Sequence, residues 1–212
     1  MFTCRDSLQY HLRRQNVQAT TALLSSLHVL CDETTTRSIS LLLLSLAGSV
    51  RSCLFLLPRL TDCLLHSPAF SASYFTVVRS VIHRLGGKSL SLQLCLLRQC
   101  SRLLQQTHVF VDDVLPIVAH FARIHFPPTS ADETPLQTAI QCELITLFTY
   151  LVELGAINHK SVIALSLQVV KTNETAMERG CELLCACSGV KGVIVFGEFH
   201  GIVFQQSSFP VV

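Results

Sequence analysis

Apolar residues recur at intervals of three and four along almost the whole of this chain, a spacing that commits it to helices packed by one face. In one stretch Leu90, Leu94 and Leu97 run beside Leu92, Leu96, Cys100 and Leu103, with Gln93, Arg98, Gln99, Arg102 and Gln105 assigned to the other side. A second stretch runs from Leu136 through Ile140, Leu144, Leu147, Phe148 and Leu151 to Leu154. Thr134 precedes it as a helix N-cap, Pro135 takes the first helical position and Gly155 follows its end, the three signals a helix of this length needs. The same test predicts helices over residues 5–15, 18–31, 35–47, 50–65, 71–85, 89–106, 111–125, 136–154, 159–171 and 175–188.

Short breakers separate these windows: Gly48-Ser49, Ser67-Pro68, Gly86-Gly87, Thr107-His108, Asn158 and Asn173. Short links make consecutive helices antiparallel neighbours. Only the stretch from Pro127 to Glu133 is longer, and its prolines and polar residues mark an exposed loop that could divide a helical domain of residues 1–190 at 127–135. Helical hairpins repeating every 35 to 45 residues or so, with no strand between them, are the pattern of a helical solenoid. The chain here resembles armadillo and HEAT-type repeats, through Ser89-Leu90-Ser91-Leu92-Gln93-Leu94-Cys95-Leu96-Leu97 followed by Val111-Asp112-Asp113-Val114-Leu115-Pro116-Ile117-Val118. That resemblance implies an all-α, right-handed solenoid of about ten helices that presents a surface to other proteins. A globular helix bundle is the alternative architecture.

The code changes after Gly189. Val193-Ile194-Val195-Phe196, Phe199 and Ile202-Val203-Phe204 are β-branched and aromatic runs interrupted by Gly192, Gly197 and Gly201, which reads as an irregular or short-strand tail over residues 191–212. Solenoids normally end in a repeat with a polar outer face. The closing Ser208-Phe209-Pro210-Val211-Val212 offers none, so the sequence is expected to be a truncated form or variant of a longer repeat protein.

Composition narrows the function classes. Half of the 212 residues are hydrophobic and 14% are charged, against roughly 25% charged in ordinary soluble domains, which excludes intrinsic disorder. The net charge of +2 is too small for a dedicated nucleic-acid or membrane-surface binder. Arg5 and Asp6 stand where a secretory signal needs an apolar run, and the richest apolar stretch, Ile39 to Ala47, is bounded by Arg37 and Arg51. An intracellular chain, cytoplasmic or nuclear, with no membrane span is therefore expected. Among the ten cysteines, Cys31, Cys53, Cys63, Cys95, Cys100 and Cys142 sit among leucines, where a thiol behaves as a small hydrophobe and stays reduced. The Asn173-Glu174-Thr175 sequon carries no weight without export.

No motif for chemistry stands out. Cys181, Cys185, Cys187 and His200 offer soft ligands, but on a helix Cys187 points away from Cys181 and Cys185, and structural zinc favours paired ligands on a turn. Gly86-Gly87-Lys88-Ser89 resembles the end of a phosphate loop, yet Ile82 occupies the place of its first glycine. The better reading is a helix C-terminus, with His83 and Arg84 complementing the dipole and Gly86 or Gly87 in a left-handed cap. Asp112-Asp113 suits a helix's first turn rather than acid–base work. No catalytic, metal or cofactor site is assigned.

Arg79, Arg84, Lys88, Arg98 and Arg102 make the middle helices basic, and neighbouring helices of a solenoid could line them along one groove. The expected function is a non-catalytic scaffold whose helical-repeat surface binds protein partners, with no small-molecule substrate. A nucleic-acid-associated repeat protein using that basic groove is one alternative, although the lack of Trp and the three Tyr supply few stacking platforms. A Cys/His metal protein or Cys-dependent enzyme is the other. Deleting 191–212 is expected to leave the melting temperature and solubility unchanged; a fall of several degrees, or aggregation, would show that Val193, Val195, Phe199 and Phe204 serve instead as the array's cap.

Overall fold

A computed structural model of the chain describes residues 17–29, 33–126 and 134–157, with a few isolated positions beyond them. The described residues form seven α-helices: α1 (Val17–Val29), α2 (Glu33–Leu46), α3 (Val50–His66), α4 (Ser71–Leu85), α5 (Leu90–Gln106), α6 (Val111–His125) and α7 (Pro135–Glu153). Two single 3-10 turns, Pro68–Phe70 and Gly86–Lys88, follow α3 and α4, and no strand occurs among the described residues. The fold is all-α, with each predicted window from 18–31 to 136–154 matched by one helix. Seven of the ten expected helices fall among the described residues. The windows at 5–15, 159–171 and 175–188, the loop at 127–133 and the tail at 191–212 lie outside the described residues, isolated positions apart.

Local chemistry sets the helix ends. Ser49 and Ser89 cap α3 and α5 by accepting from the backbone N–H groups of Ser52 and Leu92 at 3.1 and 3.3 Å. Thr134 caps α7 by accepting from the Gln137 N–H at 3.3 Å, while the Gln137 side chain accepts from the Thr134 N–H at 2.8 Å. That reciprocal box stabilises the end by satisfying two otherwise orphaned donors. Asp112 and Asp113 occupy the first turn of α6, against the positive end of its dipole. Pro58 lies inside α3 and denies the Leu54 carbonyl its usual donor; one residue on, the Arg59 guanidinium reaches back to donate to the Phe55 carbonyl at 3.0 Å.

Side-chain crosslinks fix how the helices run. Ser40 of α2 meets Ser73 of α4 at 3.1 Å, and further along Arg84 of α4 donates to the Ala47 carbonyl at 3.0 Å. The numbers rise together, so α2 and α4 are parallel. The Phe75–Phe110 ring contact and the Arg79–Asp113 bond at 2.9 Å make α6 parallel to α4 in the same way. Asp62 and Arg102, each four residues from the end of its helix, pair at 2.5 Å between α3 and α5. Glu143 accepts from Ser101, and Gln105 donates to the Tyr150 hydroxyl at 2.6 Å, aligning α7 with α5. Consecutive helices are antiparallel, since Thr61 near the end of α3 bonds Tyr74 near the start of α4 at 3.0 Å, and Gln93 at the start of α5 bonds His125 at the end of α6 at 2.7 Å. Odd helices therefore form one layer, α1 on α3, α3 on α5 and α5 on α7, while α2, α4 and α6 form the other.

The core lies between and along these layers. Leu56, Leu60 and Leu64 of α3, Val77 and Val81 of α4, Leu92, Leu97 and Leu103 of α5, Val114 and Phe121 of α6 and Leu144 and Leu151 of α7 are completely buried, each such side chain contributing roughly 1.5–3 kcal/mol. Gln93 and Gln99, assigned from the sequence to the polar side of α5, are also buried. The reason is that α5 packs against α3, α4, α6 and α7 at once, which leaves solvent only one narrow stripe. Gln93 is satisfied there: its amide donates to the Gly86 carbonyl and its Oε1 accepts from His125 Nε2. Gln99 Oε1 has no hydrogen-bond partner.

The turn at Gly86 also departs from expectation. Gly86 has φ −58° and ψ −39°, so the helix tightens into a 3-10 turn and no left-handed cap forms there. Gly155, after α7, is the positive-φ glycine, at 68°. A Cβ at Gly86 would meet only Ile82 side-chain atoms, the nearest at 3.6 Å, an ordinary contact. Gly86→Ala is thus expected to raise stability by about 0.4–1 kcal/mol through the unfolded chain's lost freedom, and Gly155→Ala to lower it by about 1 kcal/mol; chemical denaturation of the two variants checks the opposite signs.

Candidate interaction surface

The outer face of the odd layer is built from two helical stripes. On α3 the positions Arg51, Phe55, Arg59 and Asp62 follow one another at steps of four, four and three, which stacks them along one side of a helix. On α5 the same side carries Ser91, Cys95, Arg98, Arg102 and Gln105. The faces turned the other way supply the buried leucines, so the fold itself forces these residues outward. The Arg59 guanidinium lies 4.3 Å from the centre of the Phe55 ring, a cation–π stack that holds it in place along with its bond to the Phe55 carbonyl. Arg102 bridges to Asp62. Arg98 stands 4.0 Å from Glu143, with its side chain 62% exposed, a contact loose enough to leave most of its donors free.

The five basic residues singled out in the sequence do not share a groove. Arg98 and Arg102 belong to the odd layer, whereas Arg79 and Arg84 lie on α4 in the other layer. Arg79 is taken up by Asp113 of α6. Arg84 donates to the carbonyls of Leu44 and Ala47 at the end of α2, where a cation meets the negative end of the dipole and two carbonyls that lack helical partners. Lys88 closes the Gly86–Lys88 turn, its side chain lying outside the described atoms. Arg79, Arg84 and Arg102 are thus interhelical ties first and surface charges second, while Arg98 stays largely a surface charge.

Sequence reasoning missed the partners of these ties. Asp62, Glu143, Ser101 and Tyr150 are each separated by about forty residues or more from the group they meet, and only the register of one helix on the next brings them together. A lone acidic residue in the outward stripe of α3 was the one visible signal.

The described thiols point away from nucleophilic chemistry. Burial pushes Cys53 up to about 11 and Cys100 up to about 12, with the Arg84 charge partly offsetting the rise at Cys53 and Glu143 adding to it at Cys100. Burial also raises Cys95 and Tyr74. Cys53, Cys63, Cys95, Cys100 and Cys142 form no disulfide, the first two and Cys100 being buried. Among the described residues no group of three His, Cys, Asp or Glu could hold a metal ion, and no helix is long and apolar enough to cross a membrane. Cys181, Cys185, Cys187 and His200 lie outside the described residues.

No protein-family model, curated protein or solved structure matches this chain.

The raised thiols give a pH dependence with a definite sign. Their folded values exceed the ordinary value of 9.0, so the folded state holds protons that the unfolded state releases. The stability they contribute is complete below pH 9 and is lost as pH climbs through 11 and 12. Denaturation across that range should show the fall, and alkylation of the native protein near neutral pH should spare Cys53 and Cys100 while modifying them readily after unfolding; rapid native labelling of both would contradict the burial.

Proposed function

We propose that this chain is a non-catalytic, armadillo/HEAT-like helical solenoid that serves as a protein-interaction scaffold inside the cell, in the cytoplasm or nucleus. The observation that carries the reading is the pairing of each helix with the next but one: α2 with α4, α4 with α6, α3 with α5 and α5 with α7, all parallel within their layer. Stacked hairpins of this kind extend in one direction and display long rows of side chains, which suits the recognition of other proteins. A bundle closed around one core would instead bring early and late helices together. The resemblance to armadillo and HEAT repeats, carried by the α5 segment and the acidic start of α6, agrees with that geometry.

A nucleic-acid function receives less support, because the arginines it would use are divided between layers and engaged by carboxylates or helix carbonyls. The test is photo-crosslinking in cells from single positions on each layer, for example Gln106 on α5 and Thr76 on α4, both exposed. Discrete protein adducts at specific positions, lost when Leu97→Ala unfolds the stack, are the expected result. Nucleic-acid adducts, or no adduct at any position of either layer, would overturn the reading.

A further inference from the structure

Charge is unevenly spread over this molecule. Between residues 50 and 126 there are eight Lys and Arg against three Asp, although the whole chain carries only +2. The two layers use that excess differently. On α4 and α6, Arg79 pairs with Asp113 and Arg84 is spent on the carbonyls at the end of α2, leaving Arg123 and Asp112 as the remaining charges. On the outer side of α3 and α5, Arg51, Arg59, Arg98 and Arg102 face only Asp62 and, from α7, Glu143. Both of those carboxylates are already engaged, Asp62 by Arg102 and Glu143 by Ser101. No carboxylate among the described residues reaches Arg51 or Arg59.

We propose that the outer face of α3 and α5 is a docking site for an acidic, apolar-bearing segment of a partner protein, received by Arg51, Arg59 and Arg98. The inference deepens the scaffold reading and rests on it. Arg59 is held over Phe55 and tied to the backbone of its own helix, so little side-chain freedom is lost when it meets a carboxylate. Arg59 is half-buried, and a guanidinium presents its donors in a planar fork that fits a carboxylate. Between the arginines lie Leu54, Phe55, Pro58 and Cys95, all half-buried, which give the apolar side chains of an incoming segment somewhere to rest. A nucleic-acid strand fits less well. The one ring on this face, Phe55, already carries the Arg59 guanidinium where a base would stack.

The test is fluorescence anisotropy with the full chain and three labelled probes: a peptide of Glu and Leu at helical spacing, its counterpart with Lys for Glu, and single-stranded oligo(dT). The Glu peptide should bind, the Lys peptide should not, and binding should weaken as salt rises toward a few hundred millimolar. Arg51→Gln with Arg59→Gln should weaken it by at least ~10-fold, with Arg123→Gln on the other layer leaving it unchanged. Neither Arg51 nor Arg59 ties one helix to another, so the melting temperature should hold. Should Arg59→Gln disturb the helix at Pro58, Arg51→Gln alone reads the effect, expected at ~3-fold or more. No binding of the Glu peptide, an equal loss in Arg123→Gln, or tighter binding of oligo(dT) through the same arginines would overturn the proposal. Any of these combined with protein crosslinks confined to the α4 side would remove this site while leaving the scaffold reading intact; the absence of protein crosslinks on both layers would remove both.

Discussion

Helix α5 is packed from both sides and from both layers at once, and the rest of the architecture is arranged around that constraint. It lies between α3 and α7 within its own layer and against α4 and α6 in the other. A helix so enclosed can keep polar groups only along one stripe or in fully bonded pairs. Its stripe is the row from Ser91 to Gln105, and its best bonded polar group is Gln93, whose amide links the carbonyl of Gly86 to the imidazole of His125. Through that one side chain the turn before α5 is fastened to the end of the helix after it. Because Oε1 can only accept, the His125 ring carries a proton on Nε2.

Arginine is used in this fold chiefly to join helices that are two apart in sequence. Arg79, Arg98 and Arg102 each span from one helix to the next in the same layer, and Arg84 closes the end of α2 from α4. Half-exposed pairs of this kind contribute modestly, about 0–1 kcal/mol each. Their effect is on register more than on stability: leucine rows can slide by a turn at small cost, whereas a guanidinium that misses its carboxylate or carbonyl loses its partner outright.

Much of the fold was legible because helix formation is local. The Thr134-Pro135 start and Gly155 end of α7, the Asp112-Asp113 opening of α6 and the breakers at Gly48-Ser49 and Ser67-Pro68 are properties of a few adjacent residues, and the helices follow them closely. The failures are all tertiary. Gln93 and Gln99 were read as solvent-facing from their spacing on the helix, but neighbours on four sides narrow the open side of α5 to the row from Ser91 to Gln105. A left-handed cap was expected at Gly86 or Gly87 because glycine permits it, but Gly86 keeps right-handed angles and the chain continues into the Gly86–Lys88 3-10 turn. The arginines were visible as charges; that they divide between layers depends on register, which no single stretch of sequence encodes.

The burial along α7 says something about its place in the stack. From Gln137 to Val152 every side chain is buried or half-buried, in contrast to α4 and α6, which each expose a regular stripe that includes Thr76, Arg79 and His83 or Pro116, His120 and Arg123. A helix at the end of a stack must turn one side to water and carries polar residues there. Over that span α7 offers Glu143 as its single charge, and that carboxylate is spent on Ser101 and Arg98. Its composition and its coverage agree: along that span α7 keeps no water-facing stripe of the kind α4 and α6 retain.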